Sequence, residues 1–126
     1  MRQNISSGAP WEDKVGYSRA VRLGNIIEVT GTVSIKNDKP FAIGDPYEQT
    51  KRSLEIIGSA LAEAGASFKD IVRTRIFVTD ISQWEEIGRA HSEVFNTIKP
   101  ATTMVEVSKL MDPEYLVEIE ATAILE

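Results

Sequence analysis

Residues 116–123 (LVEIEATA) alternate without a break, with Val117, Ile119, Ala121 and Ala123 on one side and Leu116, Glu118, Glu120 and Thr122 on the other. A period of two marks a β-strand with one buried and one polar face. Any fold for this chain must therefore build a sheet, cover one side of it, and place two carboxylates on the other. Residues 100–107 (PATTMVEV) repeat the pattern, setting Thr102, Met104 and Glu106 against Thr103, Val105 and Val107. Only residues 109–115 separate the two strands, so pairing across that short loop is the simplest expectation.

The remaining segments say what covers the sheet. Residues 17–22 and 26–32 flank Leu23-Gly24-Asn25, a Gly-containing turn between two β-rich runs, which is a hairpin signal. Residues 33–44 carry Asn37-Asp38 and Pro40 and read as a loop with a short edge strand at each end. Asp45-Pro46 starts a helix, since the Asp side chain accepts from exposed backbone donors and proline suits the first helical position. Tyr47, Thr50, Leu54, Ile57, Leu61 and Ala64 then form its buried stripe, with Glu48, Lys51, Arg52, Glu55 and Glu63 off it, and Gly65 stops it. Residues 70–78 (DIVRTRIFV) form a third strand, with Arg73 and Arg75 on one face and Val72, Thr74, Ile76 and Val78 on the other. Ser82 and Glu85 match a capping box, and Trp84, Ile87, His91 and Val94 make the inward stripe of a second helix ending near Asn96. Residues 1–14 show no periodicity and read as irregular, with Trp11 docked on the body.

The order is β-β-α-β-α-β-β. It predicts an α+β, two-layer sandwich in which a mixed sheet carries two helices on one face. At 126 residues the chain makes one domain, spanning residues 1–126, with enough buried surface for a single core. There is no cysteine and only one histidine, which excludes disulfides, thiol nucleophiles and multi-histidine metal sites. The net charge of −5 argues against a nucleic-acid groove or an anionic membrane surface, and no apolar run has the length of a signal peptide or a spanning helix. A soluble, cytoplasmic protein acting on small metabolites or other proteins is the expectation.

Two helices cover one face only. The other, assigned by alternation to Arg19, Glu28, Thr30, Thr102, Met104, Glu106, Glu118 and Glu120, must meet water or another subunit. Val21, Met104 and Leu116 interleaved on that side favour partial burial in an oligomer.

Several stretches resemble one family. Gly16-Tyr17 through Leu23-Gly24-Asn25 to Val29-Thr30-Gly31, the A-E-A-G of residues 62–65, Asp70-Ile71-Val72 with Phe77-Val78-x-Asp80, and the closing P-A-x-x-x-V-E-V and E-I-E-A are similar to the Rid family of reactive-intermediate deaminases. That family is also called YjgF or endoribonuclease L-PSP and was once labelled translation initiation inhibitor. The resemblance runs over almost the whole chain. It implies a chorismate-mutase-like (YjgF-like) fold and a homotrimer whose uncovered sheet faces line a central barrel, with small-molecule pockets between subunits and no metal or organic cofactor.

In the deaminase branch an arginine after Pro-Ala grips the carboxylate of a 2-imino or 2-enamino acid with its planar fork. Here Thr102 follows Pro100-Ala101. Losing such a bidentate pair weakens carboxylate binding on the order of a hundredfold unless another cation substitutes. Other positions match. The resemblance places Tyr17 as a pocket tyrosine, Thr30 as a small hydroxyl residue, and Glu118 as the carboxylate that holds the hydrolytic water, as general base or as water orienter.

Each candidate has an ordinary structural alternative: a cross-strand ion pair for Glu118, packing for Tyr17, plain strand threonines for Thr30 and Thr102. Arg19, two residues after Tyr17, is the first candidate for a relocated anion clamp, against a solvated or salt-bridged strand arginine. Arg73 and Arg75 are weaker candidates for the clamp, since an alternating Arg pair on a strand is usually surface charge, and His91 reads as a structural histidine. No P-loop, G-x-S-x-G, H-E-x-x-H or G-x-G-x-x-G pattern occurs.

The leading function is hydrolytic deamination of a small imine or enamine unlike the substrate of the arginine-bearing branch, at a pocket lined by Tyr17, Arg19, Thr30, Thr102 and Met104 with Glu118 and Tyr17 as candidate catalytic groups. The rival is a non-catalytic ligand-binding or regulatory trimer. A ribonuclease or translation inhibitor follows only from the family's labels.

Overall fold

Alternation in the last strand is present, but it puts that strand in the middle of the sheet. The computed structural model describes all of residues 1–126. Its main sheet has six strands: β1 (Arg2–Ile5), β2 (Ala20–Leu23), β3 (Ile26–Val33), β6 (Ile71–Val78), β7 (Ala101–Glu106) and β8 (Val117–Ile124), in the order β1-β2-β3-β8-β6-β7. The sheet is mixed. β8 runs antiparallel to both neighbours, β3 and β6, whereas β6 and β7 are parallel. A parallel pair requires a crossover, and helix α3 (Trp84–Phe95) provides it.

The expected hairpin between residues 100–107 and 116–123 is therefore wrong, because β6 lies between them. The error carries into side-chain direction. Thr102 and Met104 sit beside Thr74 and Ile76, which are buried under the helices, so they belong to the helix-covered side; Glu106, beside the buried Val78, is on that side too. Glu118, Glu120 and Thr122 stand on the uncovered side with Glu28.

Helix α2 (Pro46–Glu63) forms as its signals predict. The Asp45 carboxylate accepts from the Glu48 N–H, and Thr50, Leu54, Ile57 and Leu61 are buried. In α3, Ile87, Ala90 and Phe95 are buried, but Trp84 is 56% exposed and not part of the inward stripe. The Ser82–Glu85 box does not cap this helix. Asp80 instead accepts from the Ser82 N–H and hydroxyl in a 3-10 turn that precedes the helix. The two helices pack Leu54, Ile57, Leu61 and Ile87 against Ile27, Val29, Ile76, Val78, Ile119 and Ala121 in one core, each large side chain contributing about 1.5–3 kcal/mol. Val72 departs from its predicted side: a register shift between Ile71 and Arg73 buries Ile71 and exposes Val72.

The first fifteen residues are ordered rather than irregular. β1 pairs with β2, and α1 (Pro10–Val15) has proline in its first turn. Gly16 at φ 89° ends α1, its N–H and that of Tyr17 both donating to the Glu12 carbonyl. Trp11, expected to dock, is 49% exposed, with the Lys14 ammonium 5.6 Å from its ring. Residues 33–44 contain a small hairpin, β4 (Ile35–Lys36) and β5 (Lys39–Pro40), turned by Asn37 and Asp38 in the left-handed region.

The uncovered face is mixed. Arg75 pairs with Glu120 at 3.3 Å, the Arg73 guanidinium donates to Thr103 at 2.7 Å, and the Thr122 hydroxyl donates to Glu28 at 2.6 Å. Around these lie exposed Leu23, Ile26, Val105 and Ile124. No helix is long and apolar enough to cross a membrane.

Candidate functional site

A cleft of about 470 Å³ opens where β3 runs past the end of β2. Its floor is built by an irregularity. Between Val29 and Thr32 the register with β8 shifts, so Thr30 and Gly31 are left out of the ladder. The Thr30 hydroxyl donates to the Ser18 carbonyl at 2.8 Å and its N–H to the Arg19 carbonyl, which ties the Tyr17–Ser18–Arg19 segment across the bulge. Gly31 leaves room for Glu118: a Cβ there would overlap the Glu118 carboxylate, the end of a flexible side chain that would have to move.

Tyr17, Arg19, Thr30 and Glu118 all line this cleft. Arg19 is held tightly. Its two terminal nitrogens donate to the Gly31 carbonyl and the Thr32 hydroxyl, each at 3.2 Å, and its Nε is buried without a partner. Its guanidinium lies 5.9 Å from the Tyr17 ring. No ion pair joins Arg19 to Glu118; the ion pairs are Arg52–Glu55, Arg75–Glu120 and Arg89–Glu93. Burial pushes the Glu118 carboxyl above its ordinary range, Arg19 opposes that, and Glu120 adds to it. Burial likewise draws Arg19 below its usual value, countered by Tyr17, Glu12 and Glu118. For a group meant to exchange protons near neutral pH, a raised carboxyl is the useful direction.

Four other segments form the walls. Glu12 anchors α1: its carboxylate accepts from the hydroxyl and N–H of Ser7 and the hydroxyl of Ser6. Burial alone would raise this carboxyl, but those hydrogen bonds and the charge of Arg19 outweigh it and leave it lowered. Trp11 and Val15 from α1, Ile35 and Lys36 from the small hairpin, Arg52 and Ile56 from α2, and Met111 and Tyr115 from the loop before β8 complete the lining.

Thr102 and Met104 are elsewhere. They lie on β7, and two strands, β8 and β6, separate that edge from β3. The Thr102 hydroxyl is 2.8 Å from that of Thr74, which is 2.9 Å from Nε2 of His91, and the His91 ring packs on Phe95 at 4.5 Å. Burial lowers the His91 value, so the ring stays neutral and hydrogen-bonded near neutral pH. Arg73 and Arg75 are on the uncovered face, bonded to Thr103 and Glu120. No group of three or more His, Asp or Glu is placed to hold a metal ion.

Sequence reasoning missed Arg52, Lys36, Trp11, Met111 and Tyr115 as cleft residues. Arg52 falls off the apolar stripe of α2 and so looks like a solvated charge. A sign was present in hindsight: it lies one turn from Ile56, and both stand toward the cleft.

The family model described as Endoribonuclease L-PSP matches residues 9–125. A protein of the RutC family from Pyrococcus abyssi is 40% identical over 108 residues, covering 85% of this chain and 84% of the relative. The 3-aminoacrylate deaminase RutC of Acinetobacter baylyi is 33% identical over 108 residues, 85% of each chain. The crystal structure of Rv2704 from Mycobacterium tuberculosis, a member of the YjgF/YER057c/UK114 family, is 47% identical, covers 99% of this chain and 100% of that one, and superposes with a TM-score of 0.91.

Proposed function

The chain belongs to the Rid family, also called YjgF or endoribonuclease L-PSP, and on that footing we propose that it hydrolyses a small imine or enamine metabolite in the cleft floored by Glu118. The observation that carries this reading is the state of Glu118: a carboxyl half-buried against Gly31, raised by burial, in the same cleft as Tyr17 and within the field of Arg19. In the proposed step Glu118 takes a proton from water as the oxygen adds to the imine carbon. Glu118 returns that proton to nitrogen, giving a carbinolamine; its hydroxyl proton then moves to nitrogen by way of the same carboxylate as the C–N bond breaks, and ammonia and a carbonyl compound leave, an enamine entering the sequence as its imine tautomer. Tyr17 walls the reacting carbon. Thr30, its hydroxyl committed to Ser18, shapes the floor, and the positive charge of Arg19 favours the ionised form of Glu118 against the effect of burial. A deaminase among relatives at 33% identity supports the reaction class.

The working unit in this proposal is a homotrimer in the cytoplasm. Two features support it. β7, which carries Thr102 and Met104, is an edge strand whose outer side is unpaired within one chain and is free to meet a neighbouring copy. Leu23, Ile26, Val105 and Ile124 also leave apolar surface on the uncovered face.

The test is ammonia release from a panel of freshly generated imines, with Glu118→Gln beside the unaltered chain. Release above the spontaneous rate that vanishes in the variant supports the enzyme. Only the spontaneous rate in both supports the second reading, a non-catalytic ligand-binding trimer, which Thr102 in place of an arginine favours. Single-stranded RNA binding at low and moderate salt tests the ribonuclease label, and the net charge of −5 predicts none.

A further inference from the structure

In the cleft the charge balance of this acidic chain reverses: Arg19, Lys36 and Arg52 line it against Asp38 and Glu118, although the chain carries −5 overall. The three cations are not equivalent. Arg19 has both terminal nitrogens on Gly31 and Thr32 and holds the bulge together. Arg52 is anchored differently. Its Nε donates to the Ile35 carbonyl at 2.9 Å, and its only other contact is Nη1 to the exposed Glu55 carboxylate at 3.5 Å. Such a solvent-screened pair competes weakly for the fork. The bond to Ile35 also fixes the small hairpin, and the next residue, Lys36, lines the same cleft with its ammonium 5.0 Å from the Phe41 ring.

We propose that Arg52 and Lys36 form an anion subsite that binds the carboxylate of an organic ligand. The guanidinium supplies oriented donors and the lysine a point charge. Because Trp11, Ile56 and Met111 line the same cleft, the ligand has an apolar body joined to that carboxylate. The inference rests on the cleft being where the ligand of the proposed hydrolysis lodges, but it concerns binding alone.

The experiment uses an unreactive probe pair, 4-phenylbutyrate and its uncharged amide, titrated against the full chain. Trp84→Phe leaves Trp11 as the sole tryptophan, so quenching reports on the cleft. The carboxylate is expected to bind more tightly than the amide. Arg52→Gln weakens the carboxylate about tenfold to a hundredfold, the size of a charge-assisted hydrogen bond, and leaves the amide unchanged. Lys36→Gln has a smaller effect of the same kind, and Arg52→Lys recovers most of the loss. The proposal is overturned if the unaltered chain does not prefer the carboxylate, if Arg52→Gln binds it as well as before, if both probes weaken equally, as a loosened hairpin would cause, or if Arg52→Lys is no better than Arg52→Gln. No turnover is read. Failure of imine hydrolysis leaves this result standing, and a charge-blind cleft leaves the hydrolysis standing.

Discussion

Two neighbouring residues of one strand, Glu118 and Ile119, face opposite sides of the sheet and live under different rules. Ile119 is fully buried in the aliphatic core, where any residue of similar shape and polarity serves. Glu118 stands over a bulge, beside a glycine that leaves room for it, with its proton held more tightly than water would hold it. The covered side is built for stability. The floor of the cleft keeps a carboxyl in an environment that resists its charge, a cost that a structural role alone does not explain.

The largest effect expected from this contrast is on turnover. Glu118→Gln should lower ammonia release by about 10²–10⁴-fold, the usual range for a general base, without lowering the thermal midpoint. The sign follows from linkage. A carboxyl raised in the folded state binds more protons there than in the unfolded chain, so its contribution to stability falls as pH rises from the unfolded value through the folded one. The glutamine variant should lack that component in a comparison of thermal midpoints across pH. Glu12 works the other way: being lowered, it stabilises above its unfolded value, and the benefit is lost as pH falls through the folded one.

On the covered side, Ile119→Ala should cost about 2–5 kcal/mol in urea unfolding, from lost transfer energy plus a cavity. Gly31→Ala comes next. Its methyl displaces the Glu118 carboxylate, so activity should fall on the order of a hundredfold, as misplacing a catalytic group by an ångström does, while stability changes little because the displaced atoms end a flexible side chain. An unchanged rate in that variant would show that the position of the carboxylate over the bulge is immaterial. The smallest effect belongs to Glu120→Gln. Its pair with Arg75 is partly exposed, and about 1 kcal/mol or less should be lost in the same urea series.

How much of this could be read from residues alone depends on whether the signal was local. The stripe of α2 from Thr50 to Leu61, its Asp45 cap and the alternation of β8 are set by spacing within one element and appear where expected, while Tyr47, placed on that stripe, is only partly buried. Strand adjacency is not local. Residues 100–107 and 116–123 are close in sequence, yet α3 carries β7 to the far side of β6, and that one topological fact moved Thr102, Met104 and Glu106 to the other face. The short α1 carried its marks, Pro10 at the start and Gly16 at the end, but six residues are too few for periodicity to speak. The walls of the cleft escaped for a related reason: Trp11, Lys36, Arg52 and Met111 come from four separate elements, and nothing in their spacing announces that they converge.

The place of β8 between β3 and β6 has a consequence for how the molecule is made. On a ribosome, residues 1–106 emerge first with two strand groups already drafted and the slot between them vacant. Each then shows an unpaired edge to its surroundings until residues 117–124 arrive to bridge them. In that interval the nascent chain is thus most prone to pairing with the wrong neighbour, and assistance from a chaperone would matter most then.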